Sequence, residues 1–270
     1  EYPLILVYLV LWHYRLTKDR AYLLENYGKV ISLLEAYRRD YEHEGLLRRL
    51  DKWCVVEWPM NFRHGYDVDI REGKVCETAH VSINAYYLAA IRVANHMAKI
   101  LDLPAYYLGA IRVANHMTSI LELPPYRDEA PVEEAFCKAF YDPAEDLFRD
   151  SEETTHVSLV GNSFIYGFGL FRNESTKQKI LSLLDTHGIA SLSFFCAFPI
   201  LMGLCRDRDE KRLTQALTHP DAWLRMLRED ATTTFEGWGK DTKWNTSLFH
   251  LTMSYAALFL SDTDTAALFA

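Results

Sequence analysis

An all-α fold is predicted by three features of the sequence. Long stretches carry apolar residues at every third or fourth position, the connections between them are short and rich in turn residues, and no sustained alternation of strands and hairpin turns occurs. Sandwich and Rossmann folds are therefore disfavoured, and helices in this arrangement can form a bundle, a solenoid or a toroid of helical hairpins. With 270 residues, 49% of them hydrophobic, the chain can bury one large core or two modest ones.

Residues 3–17 read as a buried helix. Its most apolar run, 3–12, is too short to span a bilayer and leads into His13 and Arg15. Thr17-Lys18-Asp19-Arg20 marks the turn into a second helix, where Leu23, Leu24, Val30, Ile31, Leu34 and Tyr37 keep helical spacing up to the charged run Arg38–Glu44. A third, shorter helix is expected near 44–52. Residues 54–80 contain Pro59, Gly65 and Gly73 without any period, and read as a long cleft loop of the kind that is commonly functional.

Residues 85–104, AYYLAAIRVANHMAKILDLP, recur at 105–124 as AYYLGAIRVANHMTSILELP, identical at 16 of 20 positions. Each copy is amphipathic and is closed by Pro104 or Pro124. A solenoid would need a third copy, so a local duplication is the simpler reading. His96 and His116 invite a metal reading, but one histidine on each of two helices lacks the i,i+4 spacing of a zinc helix; no metal and no cofactor are expected. Further helices are expected up to Tyr141 and near 155–171, 175–186, 190–205, 208–217 and 220–229, with breaks at Gly188 and His219-Pro220, and a last one from Ser247. Asn162 and Ser163 beside Gly161 interrupt an otherwise apolar helix and mark close packing or a cavity wall.

The segment ATTTFEGWGKDTKWNTSLFH, 231–250, stands apart. Three consecutive threonines and two glycines oppose a regular helix, and Glu236, Asp241 and His250 lie among Phe235, Trp238, Trp244 and Phe249. Sugar sites combine flat rings that meet C–H faces with carboxylates that meet hydroxyls. The competing reading makes Trp238 and Trp244 core anchors and Glu236 a helix cap. In the same way His80, His156 and His250 can be satisfied core histidines.

Lys and Arg number 29 against 37 Asp and Glu, a formal charge of -8, and no basic cluster carries interleaved aromatics; nucleic-acid binding is not indicated. The five cysteines are widely spaced with no CxxC pair, which points to neither a zinc knuckle nor a disulfide framework. Two N-x-[ST] matches, at Asn173 and Asn245, do not decide between a cytoplasmic and a secreted soluble protein. No membrane association is expected. Because the sequence starts with Glu1 and not Met, a fragment or a processed product is expected.

Residues 219–250 resemble a region of the bacterial and fungal α-L-rhamnosidases, in which a Trp-x-x-Met helix, here Trp223 to Met226, leads through a threonine-rich loop to Thr-Phe-Glu, here Thr234-Phe235-Glu236. Val56-Glu57-Trp58-Pro59, Arg63-His-Gly-Tyr-Asp67, Asn84-Ala-Tyr-Tyr87 and Thr155-His-Val-Ser158 are similar to the same family, in the same order across most of the chain. The resemblance implies an (α/α)6 toroid of helical hairpins, complete or incomplete, spanning 1–270 as one domain, with the loops 54–80 and 231–245 at one end forming a sugar-binding cleft. Residues 85–104 would be the ordinary toroid helix, and 105–124 an additional or displaced one. The implied activity is inverting hydrolysis of a terminal α-L-rhamnoside or related glycoside.

By the same resemblance Glu236 is the general base and His250 a catalytic neighbour near the sugar, while Trp58, Arg63, Asp67, Trp238 and Trp244 bind substrate. The family's general acid belongs to a segment upstream of the part matching 3–17, so a preceding segment, with or without accessory β-domains, is expected; Glu57, Asp67, Asp69 and Glu77 are candidates to replace it. Leu251-Thr-Met-Ser254 stands where the family usually has Pro-Trp or Ala-Trp. The alternative functions are a catalytically incomplete helical module that binds carbohydrate or plays a structural part, and a helix-repeat scaffold.

Overall fold

The computed structural model describes residues 2–52, 75–101 and 128–261. Within them the helices are α1 (Tyr2–Thr17), α2 (Arg20–Tyr41), α3 (Val81–Leu101), α4 (Ala130–Phe140), α5 (Leu159–Gly167), α6 (Glu174–His187), α7 (Phe194–Arg206), α8 (Glu210–Leu217), α9 (Trp223–Arg228) and α10 (Ala256–Ser261), the last preceded by a 3-10 turn at Leu251–Tyr255. Side-chain caps start several of them. Asp19, Ser158, Asn173, Ser193 and Asp209 each accept from a backbone N–H in the first turn, satisfying donors that a helix start leaves open.

The helices form two layers. α1, α3, α5 and α7 pack side by side in that order, while α2, α4, α6 and α8 back onto them from outside. Burial follows the layers: α5 is buried at every residue and α3 at most, whereas α2 and α6 bury only one stripe. α10 joins the inner layer beside α7, with Phe198 packing edge-on against Tyr255 and Phe259. The described residues thus form an all-α array of helical hairpins, the architecture of an α/α toroid. α5 and α7 approach closely at Gly167, where a Cβ would lie 2.5–2.7 Å from Pro199, and at Gly203, where one would meet the Tyr166 ring.

Two features escaped the sequence reading. The expected third helix near 44–52 is absent; β1 (Glu42–His43) pairs with β2 (Leu46–Leu47) in a short hairpin, because Glu44, Gly45 and Arg49 take positive φ and break a helix there. A second hairpin pairs β3 (Tyr141–Asp142) with β4 (Leu147–Phe148). Both ladders are too short to leave an alternating pattern. The helix expected from Ser247 likewise starts later, after the 3-10 turn.

Each hairpin is bolted to the inner helix that follows it by one buried asparagine. Asn84 Oδ1 accepts from Leu47 N at 2.7 Å while its Nδ2 donates to Leu47 O and His80 O. Asn162 repeats the pattern on Phe148 N, Phe148 O and Ser158 O. The polar interruption of the apolar helix at 162 is therefore close packing of a loop onto a helix start.

Because each hairpin reverses the chain, the inner helices run in one direction and every outer-to-inner connection emerges at their N-terminal end. Contacts between these connections bear this out. Val81 N donates to Asp150 O at 3.1 Å, Trp238 Nε1 donates to Leu192 O at 2.6 Å, and the ring of Tyr2 lies 5.5 Å from that of Phe195. Residues 53–74, which hold most of the loop expected at 54–80, and residues 102–127, which hold the second copy of the duplication, lie outside the described residues.

Candidate functional site

The loop from Glu229 to His250 is built on α9 and closed by its own side chains. Trp238 is 2% exposed, set edge-on to Trp223 at 4.6 Å, with its indole N–H on Leu192 O. Phe235 is buried beside it in the chain, so these two rings fix the loop to the core. Arg225 donates to Glu229 at 2.8 Å and to Asp241, and Glu229 also accepts from Lys240 N at 2.7 Å. At Gly237 any side chain would collide with Thr242.

Two limbs of the loop then lie side by side. Glu236 N donates to Ser247 O at 2.8 Å and His250 N to Thr234 O at 2.7 Å, while Thr234 Oγ1 donates to His250 O at 2.6 Å. Glu236 and His250 are thereby set on adjacent backbone strips, although 14 residues separate them in sequence. The Glu236 carboxylate receives Lys243 Nζ on Oε1 at 2.5 Å and Ser247 N on Oε2 at 3.0 Å. Burial pushes its pKa up, but the Lys243 hydrogen bond, the Ser247 amide and the electrostatic influence of Lys243 and His250 outweigh it, so the group sits below the ordinary carboxylate range. A carboxylate held ionised in this way can accept a proton and cannot donate one.

The His250 ring lies 5.9 Å from that of Phe194. Phe194 opens a cavity of about 390 Å³ between α1, α7 and the 3-10 turn, lined largely by aromatic and aliphatic side chains, among them Tyr2, Trp12, Tyr86, Phe195 and Tyr255.

Of the residues singled out in the sequence, Glu236 and His250 come together. Trp238 faces the core, and Trp244 projects into solvent at 95% exposure. Trp58, Arg63 and Asp67 lie outside the described residues, as do Glu57 and Asp69. Glu77 is exposed and ion-paired with Arg49 at 3.2 Å. Lys243 and the aromatic lining from α1, α3 and α7 went unnoticed: lysine in a polar loop carries no signal, and phenylalanines inside apolar helices read as core.

His80 meets Cys76 Sγ through Nε2 at 3.1 Å, and His156 Nδ1 meets Asp150 at 2.6 Å; both histidines serve the junction between the starts of α3 and α5. Among the described residues no group of three His, Cys, Asp or Glu side chains is placed to hold a metal ion, and no helix is long and apolar enough to cross a membrane.

Inner and outer helices alternate along the chain as in a fold built from helical hairpins. Residues 3–263 match the bacterial alpha-L-rhamnosidase 6 hairpin glycosidase domain, and the chain belongs to that family. The fold is similar to that of a rhamnosidase from Klebsiella oxytoca with rhamnose bound, at TM-score 0.68 and 14% identity, over 96% of this chain and 46% of that one. It is also similar to the GH78 family rhamnosidase of Bacillus sp. GL1, at TM-score 0.63 and 16% identity over 92% and 24%. The α-L-rhamnosidase of Aspergillus terreus gives 0.61 and 15% over 97% and 28%. The chain therefore spans less than half the length of each of these proteins. No curated protein sequence matches it.

Proposed function

We propose that the chain carries the base-bearing part of an inverting glycoside hydrolase acting on terminal α-L-rhamnosides or related glycosides. The observation that carries this reading is the Glu236 carboxylate, kept ionised by Lys243 and Ser247 N, with His250 on the adjacent backbone strip and its ring against Phe194, a wall residue of the aromatic cavity. Glu236 deprotonates the water that attacks the anomeric carbon, and His250 hydrogen-bonds a sugar hydroxyl or orients the base. Trp58, Arg63, Asp67 and Trp244 contribute binding surface, and Trp238 acts from beneath by holding the loop in shape. A second carboxylic acid, roughly 6.5–9.5 Å from Glu236, protonates the departing oxygen. That acid belongs to a segment preceding this chain or to one of the loop carboxylates.

A second reading is a carbohydrate-binding module without turnover. It is favoured by the occupancy of Glu236, since a donor sits on each of its oxygens. An assay on an aryl α-L-rhamnoside separates the two, comparing this chain, the same chain extended upstream, and each with Glu236→Gln. The hydrolase reading expects the extended protein to release product with inverted anomeric configuration, and Glu236→Gln to lower kcat by about a hundredfold or more. Wild-type rates after the Gln change would remove Glu236 as base, and rhamnose binding without hydrolysis by the extended protein would leave the binding module.

A further inference from the structure

We propose that His156 is a sugar-contacting residue of the same cleft, its imidazole locked by Asp150 so that Nε2 meets a ring hydroxyl of the glycoside. That the ligand is a sugar rests on the glycoside reading above, whereas the orientation of the ring stands on geometry alone. Residues 149–158 connect β4 to α5 at the N-terminal end of the inner helices. α5 packs against α7, and the Glu236 loop is fixed just before the start of α7, where Trp238 Nε1 donates to Leu192 O. Packed helices lie roughly 8–10 Å apart, so the two connections overlie neighbouring helix starts.

The connection closes on one buried carboxylate. Asp150, 4% exposed, accepts on Oδ1 from Ser158 N at 3.2 Å and Ser158 Oγ at 2.7 Å, and on Oδ2 from His156 Nδ1 at 2.6 Å. Its own N donates to His156 O at 2.9 Å. An ionised carboxylate only accepts, so Nδ1 carries a hydrogen and the neutral ring presents Nε2 as an acceptor. The His156 side chain is 44% exposed, and its Nε2 has no hydrogen bond among the described residues. Other polar side chains of the connection are taken up by the protein: Glu152 pairs with Arg48, and Glu153 accepts from Thr78 Oγ1 at 2.8 Å. His80, the second histidine of this junction, is buried with Nε2 on Cys76 Sγ.

The helix start is complete without the His156 ring. Ser158 caps α5 by accepting from Gly161 N at 3.0 Å, and Asp150 Oδ1 braces that serine. The Oδ2 bond adds nothing to the cap; it fixes the direction and the tautomer of an imidazole that faces solvent. A ring held in this way loses little freedom on accepting a hydroxyl hydrogen, which favours binding through preorganisation.

NMR of the 15N-labelled imidazoles reads both ring nitrogens of His156 while L-rhamnose is added to the folded chain. Nδ1 is expected to stay protonated throughout, and Nε2 to shift saturably together with the amides of 229–250. His156→Asn keeps an amide N–H where Nδ1 stands and removes the Nε2 edge. It is expected to hold the wild-type urea midpoint and to weaken L-rhamnose binding about tenfold. His156→Gln, whose amide reaches the Nε2 position, is expected to recover part of that affinity. A purely structural histidine would give the opposite pattern, with affinity unchanged in both variants and stability lost in the Gln one. Saturable shifts in 229–250 with a silent Nε2, or wild-type affinity in His156→Asn, would overturn the assignment and leave the glycoside reading standing. No saturable shift anywhere would overturn it too, and the aryl rhamnoside assay on the extended protein then tells whether the glycoside reading falls with it.

Discussion

At the scale of single residues, the Glu236–Lys243 contact governs how the loop responds to acid. The carboxylate sits below its ordinary value of 4.5 in the folded protein, so its contribution to stability is present above that value and is lost as pH falls through the lower folded one. The stability difference between the wild type and Glu236→Gln, measured by urea unfolding along a pH series, is expected to close on the acid side. Lys243→Met removes both a hydrogen bond and a charge. It is expected to raise the Glu236 pKa, seen as an upward move of the carboxyl titration in NMR; an unmoved titration would mean that Ser247 N alone sets it. Asp150 is the other residue on which the loop end depends. Buried, it accepts from Ser158 Oγ at 2.7 Å, from Ser158 N at 3.2 Å and from the His156 ring. Its own backbone carbonyl takes Val81 N. Asp150→Ala strands those side-chain partners and is expected to cost about 2–4 kcal/mol in urea unfolding.

At the scale of elements, a repeated unit appears that the amino-acid sequence does not display as a repeat. An outer helix ends in a two-residue ladder, and an asparagine near the start of the next inner helix grips the backbone of the second strand. Asn84 does this for β2 and Asn162 for β4, with two hydrogen bonds each to the strand and a third to the carbonyl four residues back, of His80 or Ser158. Both side chains are buried, so removing either leaves a backbone N–H and C=O without partners. Asn84→Ala and Asn162→Ala are each expected to destabilise by about 2–4 kcal/mol in denaturant unfolding, and Asn→Asp to be no better, because the Nδ2 donors are lost and a charge is buried. A change below about 0.5 kcal/mol would show that water replaces the grip.

At the scale of the whole molecule, the two ends of the inner helices differ in kind. The N-terminal end gathers the outer-to-inner connections, with the aromatic cavity running inward from it as far as Trp12 and Phe168, and the C-terminal end gathers short turns and arginines. Sugar binding by the proposed hydrolase should therefore register at one end alone. In amide hydrogen exchange, L-rhamnose is expected to slow 188–193 and 229–250 while leaving the turn 207–209 unchanged. Protection spread evenly over both ends would contradict the assignment of the cleft.

Helix content, the order of most helices and the special character of 231–250 were legible in the sequence because they rest on local terms: apolar spacing, breakers, and the mismatch of tryptophan and charge in one loop. The family resemblance singled out Glu236 and His250 for the same reason, as a motif contiguous in the chain. The two ladders were not legible, since two residues per strand make no period, and the helix expected at 44–52 failed where backbone at Glu44, Gly45 and Arg49 turned left-handed. Nor could the chain alone say that Trp238 anchors the loop while Trp244 stands in solvent; both are tryptophans in one polar stretch, and only the position of Leu192 O and Trp223 separates them. The partners of Glu236 were decided by tertiary structure in the same way. The ionisation of a carboxylate depends on which donors fold back onto it, and Lys243, Ser247 and His250 reach it only once the two limbs of the loop lie side by side.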